Sequence, residues 1–135
     1  EVLRLIPPVG GGFRKVLKTC ELNGYQIPEG WTVLYEINQT HLNSDDYASP
    51  EVFQPDRFAT QSADGPASKY SYVPFGGGIR ECLGKEFARL EMKLFAVELL
   101  RHYRWELLPD QDLSMVVVPT PHLRDNLRVQ FQPAG

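Results

Sequence analysis

The stretch FGGGIRECLG occupies residues 75–84. Three glycines precede Cys82, Arg80 stands two positions before it, and Gly84 follows two positions after. A cysteine that only packs needs no such neighbours. Cysteine ligates metals as the thiolate. A sulfur just before a helix is favoured as an anion, because the positive end of the dipole and the unpaired first-turn N–H groups face it. Hydrogen bonds from those N–H groups to a ligating sulfur tune the potential of the metal. Gly76, Gly77, Gly78 and Gly84 let the backbone turn tightly and approach a planar ligand without Cβ atoms in the way. Phe75 offers an aromatic wall, and Arg80 a planar fork for a carboxylate. This set fits a haem, with thiolate on iron, glycines under the macrocycle and arginine on a propionate. It fits a glycine-rich strand-to-helix turn around a buried cysteine equally well. A phosphate-binding loop is a poorer match, since "GKE" at 84–86 leads into the helix without a hydroxyl residue after the lysine.

Downstream of the loop, Phe87, Leu90, Leu94 and Val97 follow the spacing of one helix face, predicting a helix from Gly84 to about Tyr103. Glu86 in its first turn and Arg101, His102 and Arg104 near its end suit the macrodipole. Beyond it, "WELL", "LSMVVVPTP" and "NLRVQF" read as short strands separated by turns. Upstream, "EVLRL" (1–5) reads as a helix end stopped by Pro7 and Pro8. "GGG" at 10–12 reads as a flexible bend. Asn23-Gly24 inside "CELNGYQIP" predicts a hairpin with a type I′ turn. "WTVLYEI" (31–37) is strand-like. "SPEVFQPDRF" (49–58) is punctuated by proline and reads as irregular or short-helical, and 59–71 as exposed loop. His41 and His122 read as polar loop residues, and Trp31 and Trp105 as core or edge packing. No linker is evident, so the chain reads as one piece. A single amphipathic helix must bury its face against something. The strands supply part of that cover, and the main partners are expected to lie outside these residues.

The chain has 135 residues, 42% hydrophobic and 23% charged, the composition of an ordinary globular protein. A net charge of −3 argues against a general nucleic-acid binder. No apolar run approaches the ~18 residues of a membrane span. Cys20 and Cys82 are too few for a disulfide scaffold, and no histidine–cysteine cluster has zinc spacing.

FGGGIRECLG matches F-x-x-G-x-R-x-C-x-G, the haem-binding signature of the cytochrome P450 superfamily, which the sequence therefore resembles. Two more of that family's motifs occur in its order: Glu1 and Arg4 in "EVLR" match E-x-x-R, and "FQPDRF" matches the stretch that supplies a second arginine, here Arg57. The segments "GGFRKVLKTCELNGYQIPEGW" and "GKEFARLEMKLFAVELLRHYRWELL", with "DNL" near the end, are similar to the retinoic-acid-hydroxylating branch and its bacterial relatives.

The resemblance implies an α+β C-terminal part of a single, mainly α cytochrome P450 domain: a helix stub, small β-sheets, the cysteine loop and a long amphipathic helix. Glu1 falls inside a motif, so a preceding portion is expected, carrying the oxygen-activating helix and the distal haem wall. These residues alone are expected not to turn over and to bind haem poorly. Cys82 is the implied axial ligand of iron, with Phe75, Gly76 and Gly84 around the haem, and Arg80 and Arg14 on its propionates. Glu1, Arg4 and Arg57 form the implied buried triad. Val9, Gly10, Gly11, Val118, Pro119 and Thr120 match places where the family lines its substrate pocket. Lys85, Arg89 and Lys93 recur every four residues on the face that receives an acidic electron donor, a ferredoxin or a flavin reductase.

The implied reaction is a haem-thiolate monooxygenation, using O2 and two electrons, of a small apolar substrate such as a retinoid. Two alternatives fall in other classes: a member that isomerises or dehydrates a peroxide, and a non-catalytic haem-binding or structural remnant of a truncated gene. The compartment is open, since bacterial relatives are soluble and animal ones membrane-anchored.

Overall fold

The computed structural model describes residues 1–59, 68–118 and 120–135. The described residues divide into two compact units, 1–74 and 75–135.

In the first unit, helix α1 (Val2–Leu5) is one turn long and ends before the prolines, as their missing N–H groups and fixed φ require. Strand β1 (Gly11–Lys15) pairs antiparallel with β4 (Thr32–Glu36), Phe13 opposite Leu34. The glycines at 10–12 are thus not a free bend, because Gly11 and Gly12 belong to β1. A Cβ on Gly11 would overlap the Tyr35 carbonyl oxygen, and one on Gly12 would lie 2.6 Å from the Tyr35 hydroxyl. Glycine is required at 11, where the neighbour is the backbone of β4, whereas at 12 the neighbour is the movable end of the Tyr35 side chain.

The hairpin β2 (Cys20–Leu22) and β3 (Tyr25–Ile27) turns at Asn23 and Gly24, whose φ of 50° and 81° are the two positive values of a type I′ turn. Helix α2 (Ile37–His41), which the strand pattern conceals, follows β4 directly. Its His41 is fully buried and is not a loop residue. Pro55–Phe58 form a 3-10 turn. Residues 60–67 of the expected loop lie outside the described residues, and Ser71 at its end is buried.

Few apolar side chains are buried among the described residues of this unit: Ile37, Tyr47, Val16 and the prolines Pro7 and Pro74. The largest fully buried side chains are Arg4, Arg57, Tyr47 and His41. Packing here is organised around charge and hydrogen bonds, which explains why an apolar-periodicity reading cannot locate it.

In the second unit, helix α3 (Lys85–His102) runs into β5 (Tyr103–Leu107), which pairs antiparallel with β8 (Val129–Pro133). β6 (Met115–Val116) and β7 (His122–Leu123) make a second short ladder. His122 therefore sits in a strand. Trp105 packs at the edge of this sheet, its ring 6.2 Å from Phe131, whereas Trp31 in the first unit is 60% exposed and not in a core. The apolar stripe of α3 is bare among the described residues: Phe87, Leu90, Leu94 and Val97 are 47–72% exposed. No helix among the described residues is long and apolar enough to cross a membrane.

Candidate functional site

Two constellations carry chemistry, one in each unit. The first is built from helix ends and loops. Glu1 and Arg4 stand one turn apart on α1, which lets the guanidinium fork grip the carboxylate: Nη2 donates to Oε1 at 2.7 Å and Nε to Oε2 at 2.8 Å. Arg57, on the 3-10 turn, donates from Nε to the same Oε1 at 3.2 Å, and the Gln54 amide donates to it at 3.0 Å.

Other N–H groups of the two arginines donate to backbone carbonyls. Arg4 reaches the carbonyls of His41, Pro50 and Val52, and Arg57 those of Ala48, Ser49 and Val52. Two cations meet one carboxylate, and carbonyl dipoles compensate the excess charge. Tyr47 lies under both guanidinium groups, 5.0 Å from that of Arg4 and 5.8 Å from that of Arg57, and donates its hydroxyl to the Ser71 carbonyl at 2.8 Å. No buried side-chain polar atom among the described residues lacks a partner.

Burial pushes the Glu1 carboxyl up, but the hydrogen bonds from Arg4, Gln54 and Arg57 and the Arg4 charge outweigh it and hold the pKa at about 2. Burial pushes the Tyr47 phenol up to about 12. His41 and Tyr47 were invisible to motif reading, because neither spacing nor composition marks a polar group whose partners lie dozens of residues away.

The second constellation is the cysteine loop. Gly76 and Gly78 have φ of 75° and 69°, the left-handed region where glycine is favoured. A 3-10 turn at Gly78–Arg80 follows, and the loop closes when the Cys82 amide donates to the Phe75 carbonyl at 2.9 Å. The Lys85 amide donates to the Cys82 carbonyl at 3.3 Å, and α3 begins. Cys82 is a free, exposed thiol, so the turn does not enclose a buried cysteine.

Gly84 needs no special φ; its missing Cβ would lie 3.9 Å from Cys82 Sγ, which keeps that side of the sulfur open. A Cβ on Gly78 would meet nothing. Ile79 and Leu83, flanking the sulfur in sequence, are wholly exposed. An exposed thiol among apolar side chains and absent Cβ atoms fits a large, flat, largely apolar ligand bound at sulfur.

Other candidates divide between the units. Arg80 is exposed. Arg14 projects from β1 over the Tyr35 ring at 4.9 Å and donates to its hydroxyl at 3.3 Å. Val9, Gly10 and Gly11 line a cavity of about 400 Å³ with Phe13, Leu34 and Glu36. Val118 and Thr120 are exposed in the other unit, and Pro119 lies outside the described residues. The basic stripe is partly compensated: Lys85 pairs with Glu81 at 2.8 Å, and Arg89 with Glu86 at 3.1 Å. Arg89 also lies over the Phe75 ring, 5.6 Å from its centre.

A profile of the family described as Cytochrome P450 matches residues 1–127. The chain belongs to the cytochrome P450 family. It is 55% identical over 131 residues to the putative cytochrome P450 120 of Synechocystis sp., covering 97% of this chain and 30% of that protein. It is 51% identical over 136 residues to cytochrome P450 26C1 of Homo sapiens, covering 98% of this chain and 26% of that one. The solved structure described as retinoic acid bound cyanobacterial CYP120A1 superposes with a TM-score of 0.87 at 53% identity, covering 98% of this chain and 31% of that one. The chain thus spans 26–31% of the length of these cytochrome P450 relatives and has the fold of the corresponding part. The family implies a haem-thiolate cofactor.

Proposed function

We propose that residues 1–135 are the C-terminal part of a single cytochrome P450 domain whose complete enzyme is a haem-thiolate monooxygenase acting on an apolar carboxylic acid such as a retinoid. The observation that carries this reading is the exposed Cys82 sulfur on a loop shaped by two left-handed glycines and closed by the hydrogen bond from the Cys82 amide to the Phe75 carbonyl. Cys82 would hold the iron. Arg80 would take one propionate and Arg14 another. The closure from the Cys82 amide to the Phe75 carbonyl fixes the backbone from which the sulfur projects.

Haem held by Cys82 would supply the activation of O2, with two electrons from a ferredoxin or flavin reductase and two protons from solvent, so that one oxygen atom enters a C–H bond and the other leaves as water. The triad of Glu1, Arg4 and Arg57 holds the loops of the first unit in one arrangement. Lys85, Arg89 and Lys93 would face the electron donor, and Lys93 carries most of that attraction because acidic neighbours offset the other two.

The retinoid assignment is supported by the solved relative described as binding retinoic acid. The cavity beside Val9, Gly10 and Gly11, with Phe13 and Leu34, suits the apolar part of such a molecule. Glu36 on its wall would repel the carboxylate, so that end must point away.

The test uses the protein expressed from its complete reading frame, with haem, ferredoxin and ferredoxin reductase. Retinoic acid is expected to be hydroxylated in an NADPH-dependent reaction. Oxidation of neutral apolar compounds with no turnover of any carboxylic acid would overturn the substrate class.

A further inference from the structure

The buried imidazole of His41 has no place in the reading above, yet both of its nitrogens are engaged. The Val73 amide lies 2.9 Å from Nε2, and the Arg4 carbonyl lies 3.0 Å from Nδ1. An amide can only donate, so Nε2 is bare and accepts; the ring proton is on Nδ1 and is donated to Arg4. The ring stacks on Tyr72 at 5.5 Å, and Tyr72 packs against Phe58 at 4.9 Å. The His41 carbonyl in turn accepts from Arg4 Nη1 at 2.8 Å, so residues 4 and 41 grip each other twice. A second proton on this ring would oppose the Val73 N–H and stand near the Arg4 charge. Burial and that charge accordingly hold its pKa below 6.5, against the pull of the Arg4 carbonyl.

We propose that His41 is a positioning residue, which ties the Val73 amide to the backbone of α1 and so fixes the point, two residues before Phe75 along the chain, from which the cysteine loop departs. The hydrogen-bond geometry stands alone; its consequence for Cys82 rests on the haem-thiolate reading. Two conservative variants separate the halves of the contact. Glutamine at 41 can present an acceptor where Nε2 stood, whereas asparagine can present only a donor where Nδ1 stood.

In full-length protein, hydrogen exchange of peptides covering 71–76 is expected to be about tenfold faster or more in His41→Asn, which strands the Val73 donor, and to return toward wild type in His41→Gln. In the carbon monoxide complex of the reduced enzyme, His41→Asn should also lose more of the thiolate-ligated band than His41→Gln. Equal exchange in the two variants, or exchange unchanged from wild type in both, would overturn the proposal. Should either variant fail to fold, 15N-histidine spectra of wild-type protein decide: a protonated Nε2 on His41 would overturn it. A wild-type protein without the thiolate band would defeat the function proposed above while leaving the exchange and tautomer results to stand or fall separately.

Discussion

In protein expressed from its complete reading frame, Cys82→Ala is expected to reduce haem retention and oxidation to background, while the haem-free form keeps its folding stability within about 0.5 kcal/mol. The separation follows from where the residue's bonds lie. Its backbone closes the loop, amide to Phe75 and carbonyl from Lys85, and alanine keeps both bonds. Its side chain is exposed and free, so removing it vacates no packed volume. Haem content per chain and denaturant unfolding of the apoprotein measure the two sides. Full haem occupancy in the variant, or a large loss of apoprotein stability, would contradict the assignment.

Arg4→Ala has the opposite profile. It is expected to cost about 3–5 kcal/mol in the same full-length protein, because it removes one partner of a buried ion pair and leaves the others without compensation. The Glu1 carboxylate would lose two donors, and the carbonyls of His41, Pro50 and Val52 one each. Arg4→Lys should recover only part, since an ammonium cannot occupy both carboxylate oxygens and three carbonyls as the guanidinium does. A Glu1→Gln, Arg4→Met, Arg57→Met triple variant as stable as wild type would show the network replaceable by packing.

Acid should dissect the same network. The Glu1 pKa falls from 4.5 in the unfolded chain to about 2, so its contribution is complete above about pH 4.5 and disappears as the pH drops toward 2. That displacement is worth about 3 kcal/mol. His41 adds to the loss from below about pH 6.5, since the unfolded chain takes up a proton there that the folded one refuses. Unfolding free energies measured between pH 7 and 3 should therefore decline in two stages, and Glu1→Gln should flatten the lower one.

Local physics made much of this architecture readable. Asn23-Gly24 specifies its turn through positive φ, and α3 follows from a run of helix formers with apolar residues at the right spacing. In the cysteine loop, the tight turn was readable from its glycines, of which Gly76 and Gly78 take positive φ. Long-range constraints were not. Gly11 and Gly12 read as a bend because glycine signals freedom, whereas here it admits the close approach of Tyr35. His41 read as loop because its partners, Arg4 and Val73, lie 37 and 32 residues away. The stripe on α3 correctly marked an apolar face, but periodicity carries no information about what covers it, and among the described residues it is bare.

Sulfur ligation of the iron by Cys82 is tested most directly by the absorption spectrum of the reduced, carbon-monoxide-bound full-length protein, compared between wild type and Cys82→His. Wild type should show the long-wavelength Soret band of thiolate-ligated haem, and the variant the shorter-wavelength band of imidazole ligation. A thiolate band that survives in Cys82→His would mean that another sulfur holds the iron, Cys20 being the other free cysteine in this segment, and that the site is misassigned.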